Sequence, residues 1–146
     1  MKRKIYSLLT LLLSLVMSVT MLTACDKEEV TATAKAEIVS KTETSVVIKI
    51  NETEDSLTLL DAMNFLKDEG GLSFEINEGM ITSIEGKGNA ADWSKCWMLY
   101  TSDSEMSNPE WGTITIDGKE YGSAIVGVDA LEVVVGEVYI WSFDGL

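Results

Sequence analysis

Histidine is missing altogether from these 146 residues. That absence excludes Ser-His-Asp and Cys-His nucleophilic centres and His-based zinc sites, and it removes the commonest general base. Cysteine is nearly missing, with only Cys25 and Cys96 in the chain. No disulfide framework can staple such a domain, so its stability must come from a packed core. Basic residues are scarce, 11 Lys and Arg against 24 Asp and Glu, for a formal charge of −13. So acidic a surface repels polyanions and anionic headgroups, which excludes nucleic acid as a partner. Phosphate loops, dinucleotide fingerprints and CxxC pairs are absent. Asp103, Glu105 and Glu110 share one polar stretch, yet no spacing singles out a pair for acid–base work, and the chain is read as a non-enzyme. Asp103-Ser104-Glu105 also lacks the glycine and the closing glutamate of a hand-type calcium loop, so no metal is assigned. No cofactor is required.

What is present begins with an export signal. Met1-Lys2-Arg3-Lys4 is basic, and an apolar run broken only by Ser and Thr follows to about Leu22. Small residues then precede Cys25, and Asp26-Lys27-Glu28-Glu29 abruptly changes the composition. A positive start, an apolar middle and a small-residue cut site are the three parts of a cleavable signal. Leu22-Thr23-Ala24-Cys25 looks like a bacterial lipobox. That resemblance implies a diacylglycerol thioether on Cys25, cleavage before it, and residence on the outer face of the cytoplasmic membrane. Two or three acyl chains on one residue make a stable anchor, whereas one is marginal. Cleavage leaves 122 residues. The signal takes three of the eleven basic residues and no acidic one, so the mature charge falls to −16.

Three segments follow: residues 1–24 as lipoprotein signal, 25–44 as the lipidated cysteine and a flexible tether, and 45–146 as one folded domain. The tether is rich in Thr, Ala and charge, with Ile38-Val39 a candidate start of a strand. Val46 to Ile50 is β-branched and predicts the first strand. Leu59, Ala62, Met63 and Leu66 recur at helical spacing, with Thr58 as cap, Asp61 three residues on, and Gly70 beyond the end. Strands and turns fill the rest. Phe74–Ile84 reads as a hairpin turning at Asn77-Glu78-Gly79, Lys95–Tyr100 as a central strand apolar on both faces, and Thr101–Glu110 as a surface loop. Asp117-Gly118 predicts a tight hairpin. Leu131–Val135 and Val138–Phe143 read as two arms around Gly136-Glu137. One early helix among six to eight short strands predicts an α+β class, with the helix across one face of a mixed sheet.

The order of several short motifs resembles a group of bacterial surface domains of unknown function related to the C-terminal domain of transcobalamin and gastric intrinsic factor. The motifs are Thr58-Leu59-Leu60-Asp61-Ala62, Ile81–Gly86, Cys96–Tyr100, Trp111–Ile114, Gly122-Ser123-Ala124 and Gly136–Tyr139. The resemblance covers roughly residues 46 to 143. The resemblance implies a β-grasp-like fold. It also implies that cobalamin or another corrinoid is held at the cell surface for delivery to an importer.

Aromatic residues mark the candidate site. Trp93 follows Asp92 and Trp111 follows Glu110, both in polar surroundings. Such side chains either contact a ligand or pin a loop over the core. Tyr100 and Tyr121 carry the same two readings, whereas Trp97 and Trp141 fall in strands and read as core. Cys96, between Lys95 and Trp97, reads as a buried, inert thiol. Two functions fit: a lipid-anchored protein that binds a small ligand at these aromatics, or a protein-interaction or adhesion module that offers a sheet edge without any small-molecule ligand.

Overall fold

A computed structural model describes residues 34–54 and 56–144. The signal, Cys25 and the first part of the tether lie outside the described residues.

The chain opens with β1 (Lys35–Lys41) and β2 (Ser45–Glu52), crosses in helix α1 (Leu59–Asp68), and forms a small hairpin of β3 (Phe74–Asn77) and β4 (Met80–Ile84) with the two-residue β5 (Lys87–Gly88). Strands β6 (Cys96–Thr101), β7 (Ser107–Ile116), β8 (Lys119–Ala124) and β9 (Val138–Asp144) complete it. Six strands make one sheet in the order β1-β2-β9-β6-β8-β7, and β3-β4-β5 make a second. The fold is mixed α+β, mainly β.

Local chemistry explains the elements that the sequence predicted. Thr58 caps α1 through a reciprocal box with Asp61: the Thr58 N–H donates to Asp61 Oδ2 at 2.8 Å, and the Asp61 N–H donates to Thr58 Oγ1 at 3.4 Å. The helix stops where Gly70 takes a left-handed φ of 74° and Gly71 donates back to the Leu66 carbonyl. Glu78-Gly79 and Asp117-Gly118 each place two consecutive positive-φ residues between antiparallel arms, as a two-residue turn requires.

Burial alternates across the large sheet. Val46, Ile48, Ile50, Trp97, Leu99, Tyr139 and Trp141 face α1 and meet Leu59, Ala62, Met63 and Leu66 in the main core. Val47, Tyr100 and Ile140 face the other way and form a smaller cluster with Ile114, Ile116 and Tyr121 of the β7–β8 arm. The central position predicted for β6 is correct, since β9 and β8 flank it.

Four expectations need correction. The sheet is not mixed: every strand pair is antiparallel. β2 and β6 run in the same direction, but β9 inserts between them. The folded domain begins before residue 45, because Lys35–Lys41 is an edge strand paired with β2. Only its Ala36 and Ile38 pack on the core, and an edge strand needs no more, so polar residues dominate it. Leu131–Val135 is no strand. It runs extended over the start of α1, where Leu59 donates to the Leu131 carbonyl and Val133 donates to the Leu57 carbonyl. Leu131 and Val133 plug the core while Val134 and Val135 face solvent. Finally, Ser107–Glu110 belongs to β7 rather than to a loop. Pro109 is tolerated there because β7 is an edge strand whose register shifts between Asn108 and Thr113.

Candidate functional site

An apolar cleft opens where two strands part. Strand β8 pairs with β6 only at Tyr100↔Ser123 and Thr101↔Gly122, whereas β9 pairs with β6 along its whole length. The first half of β6 therefore has a strand on one side only. Beyond Ala124 the chain moves off toward β7, and the Ile125 N–H donates to the Met106 carbonyl. The gap is a cleft of about 300 Å³ with Met80, Trp93, Trp97, Leu99, Val126 and Trp141 on its walls. That volume lies at the lower end of small-molecule sites, roughly 300–1,000 Å³, and the mainly apolar lining matches their usual chemistry.

Two features hold the walls. Asn89 ties the small sheet to β6: its Nδ2 donates to the Ile81 carbonyl at 3.0 Å, and its Oδ1 accepts the Trp97 N–H at 2.9 Å. Trp97 is fixed further by its Nε1–H donating to the Lys87 carbonyl at 2.7 Å and by a tilted contact with Phe143, ring centroids 5.4 Å apart. The Trp93 loop is closed on itself. Ala90 donates to the Lys95 carbonyl, Trp93 to the Ala90 carbonyl, and Asp92 Oδ1 accepts both the N–H and the hydroxyl of Ser94. These bonds to Ser94 hold the Asp92 carboxyl below its ordinary pKa. Trp93 itself takes a φ of 60° and remains 47% exposed. A left-handed non-glycine backbone costs about 1–3 kcal/mol, and Trp93 shares it with the turn residues Glu78 and Asp117.

The four aromatics singled out in the sequence do not converge. Trp93 lines the cleft. Tyr100 is buried in the second apolar cluster with Tyr121 packed beside it, and burial with nearby Asp144 pushes the Tyr100 hydroxyl up from its usual pKa. Trp111 projects from the bulged edge strand β7 and is 63% exposed. Trp97 and Trp141, read as core, are indeed buried, yet each also forms cleft wall. No sequence signal marked them, because the cleft comes from the early departure of β8. Trp141 is 4% exposed, and its Nε1–H meets no acceptor among the described residues. The nitrogen is shut off from solvent, so it is no ready donor to a ligand.

Cys96 and Met98 also border the cleft, with the thiol 3.5 Å from the Met98 sulfur. Burial first, and Asp144 second, push the thiol above its usual pKa, which disfavours the nucleophilic thiolate. Among the described residues no group of three or more Cys, Asp or Glu side chains is placed to hold a metal ion. The Asp103 carboxylate accepts the Glu105 N–H at 2.9 Å and so closes its own turn. No described helix is long and apolar enough to cross a membrane. No family model matches the chain, and neither a curated protein nor a solved structure is found similar to it.

Proposed function

We propose that this chain is a non-enzymatic binding protein, anchored through lipid on Cys25 to the outer face of the cytoplasmic membrane, that holds a small and largely apolar ligand in the cleft between β6 and the segment after β8. The carrying observation is the cleft itself, with exposed Trp93 on a closed, strained loop and two further indoles in its walls. Leaving an indole of that size half in water sacrifices hydrophobic stabilisation that a bound apolar group restores. The export signal and lipobox supply the setting.

The finer fold reading is β-grasp-like. The order of a hairpin followed by one helix packed across a sheet face supports it, with an all-antiparallel sheet in place of the mixed one expected. A corrinoid is the first ligand to test. A corrin ring with its amide arms is far larger than the cleft, so one flank would seat beside Trp93 and the remainder stay accessible to an importer. The test is a titration of the full chain carrying Cys25→Ser with cobinamide and cobalamin, followed by intrinsic tryptophan fluorescence and heat. Quenching that weakens in Trp93→Ala supports the reading. No signal at high micromolar ligand removes the corrinoid.

A second reading, a protein-interaction module, has one observation in its favour. β1 is an edge strand, and Val39 on it is 57% exposed, so a partner strand could extend the sheet there. Recovery of one cross-linked partner from intact cells, lost with a proline at Val39, would favour it.

A further inference from the structure

The cleft has an electrostatic asymmetry that narrows its ligand class. No Lys, Arg, Asp or Glu stands among its lining residues, but the carboxylate of the exposed Asp129 lies against two of them. Gly79 and Gly127 both line the cleft, and Asp129 lies against both. A Cβ built on Gly79 would come 2.7 Å from Asp129 Oδ2, and one on Gly127 would come 3.1 Å from Oδ1. Glycine at these two positions is therefore what lets the carboxylate sit so close. Asp129 is held there by its backbone surroundings. Ala130 and Leu131 both donate to the Gly127 carbonyl, and the Leu60 N–H at the start of α1 donates to the Val128 carbonyl. Neither of the two salt bridges among the described residues involves Asp129.

Three indoles line one small, uncharged cleft with no cation on its wall and an exposed acid against two of its glycines. The π face of an indole attracts a cation electrostatically, by about 0.5–1 kcal/mol when exposed and about 2 or more when desolvated. The mature chain, at −16, adds a long-range field of the same sign. We propose that the ligand of this cleft is a hydrophobic cation, an apolar body bearing one ammonium-type charge, with the body against Trp93 and its neighbouring indoles and the charge beside Asp129. The inference rests on the reading of the cleft as a binding site and specifies what that site selects. Anions are rejected by Asp129 and by the field of the whole molecule.

Three probes of similar shape and different charge test it: benzyltrimethylammonium, neutral benzyl tert-butyl ether and anionic phenylmethanesulfonate. Each is titrated against the full Cys25→Ser chain by tryptophan fluorescence. The cation should bind about tenfold more tightly than the ether, and the sulfonate should not bind. Asp129→Asn should remove most of that preference and leave the ether unchanged. Glu37→Gln, which deletes the same charge from the far edge strand, should preserve it. Equal affinity for cation and ether, or an equal effect of Asp129→Asn and Glu37→Gln, overturns the inference. If the ether binds and Trp93→Ala weakens it without any preference for the cation, the cleft stands as a site and only the charge selection falls. If none of the probes binds, both fall.

Discussion

Asn89 Oδ1 accepts the backbone N–H of Trp97 at 2.9 Å, where a strand partner for β6 would otherwise stand. The same side chain donates to the Ile81 carbonyl, and the Asn89 N–H donates to the Thr82 carbonyl. One amide thus takes the place of a missing β ladder and joins the two sheets beside the cleft. Asn89→Ala leaves the Trp97 N–H and the Ile81 carbonyl without these partners. The expected loss is about 1–3 kcal/mol. Urea unfolding should show a lower midpoint at unchanged slope. Asn89→Asp keeps the acceptor but turns the donor into an acceptor facing a carbonyl, and should lose at least as much.

The Thr58–Asp61 box fixes where α1 begins and, through it, where the Leu131–Val133 segment docks. Thr58→Ala removes the acceptor for the Asp61 N–H and the hydroxyl that donates to Asp61 Oδ2 at 2.8 Å. A lost cap of this type costs about 0.5–2 kcal/mol. Asp61→Ala in the same background should cost less than it does alone, because the Oγ1–Oδ2 bond is already gone, and what it still removes is the acceptor for the residue 58 N–H. A double-mutant cycle by thermal or urea unfolding measures that coupling.

These local devices are what made part of the fold readable. A cap, its partner three residues on, and a Gly beyond the last turn are set by neighbours in sequence. So are Glu78-Gly79 and Asp117-Gly118. The misread elements depend on distant partners. Leu131–Val135 has the β-branched composition of a strand, but its backbone groups bond to the start of α1 and its neighbours rather than to a ladder. Lys35–Lys41 looks like a tether because an edge strand buries only one side. The cleft was half legible: Trp93 stood out as a large aromatic in a polar loop. Trp97 and Trp141 did not, since their exposure to a cavity follows from β8 pairing with β6 over two residues only.

Cys96 should be a slow thiol in the folded chain. It is buried, and its pKa is raised by desolvation and by Asp144. In a Cys25→Ser chain it is the sole cysteine. Ellman's reagent at pH 8 should react with it far more slowly in buffer than in 8 M urea, where burial is lost. Asp144→Asn should speed the folded-state reaction modestly, because it removes the smaller of the two causes while desolvation remains. Equal rates in buffer and urea would show that the site opens freely.

Glu85 gives the fold a pH-dependent clasp between β1 and the end of β4. Its carboxylate accepts the Ser73 N–H at 2.8 Å and meets Lys41 Nζ at 3.3 Å, while Lys41 also donates to the Gly71 carbonyl at 3.0 Å. The hydrogen bond from Ser73 is the main cause that holds the Glu85 carboxyl below its ordinary value; slight burial opposes it, and Lys41 assists. A depressed folded-state pKa means that the unfolded chain takes up this proton first as the pH falls. The stabilisation is therefore complete above the ordinary glutamate pKa, about 4.3. It fades as the pH drops through the lower folded value. Both side chains are more than a third exposed, so solvent screening keeps the contribution under about 1 kcal/mol. Glu85→Gln should lower the urea midpoint slightly at pH 6, and the gap between the two proteins should narrow by pH 3. A gap that widens on acidification would place the proton on the opposite side of the linkage and refute the clasp.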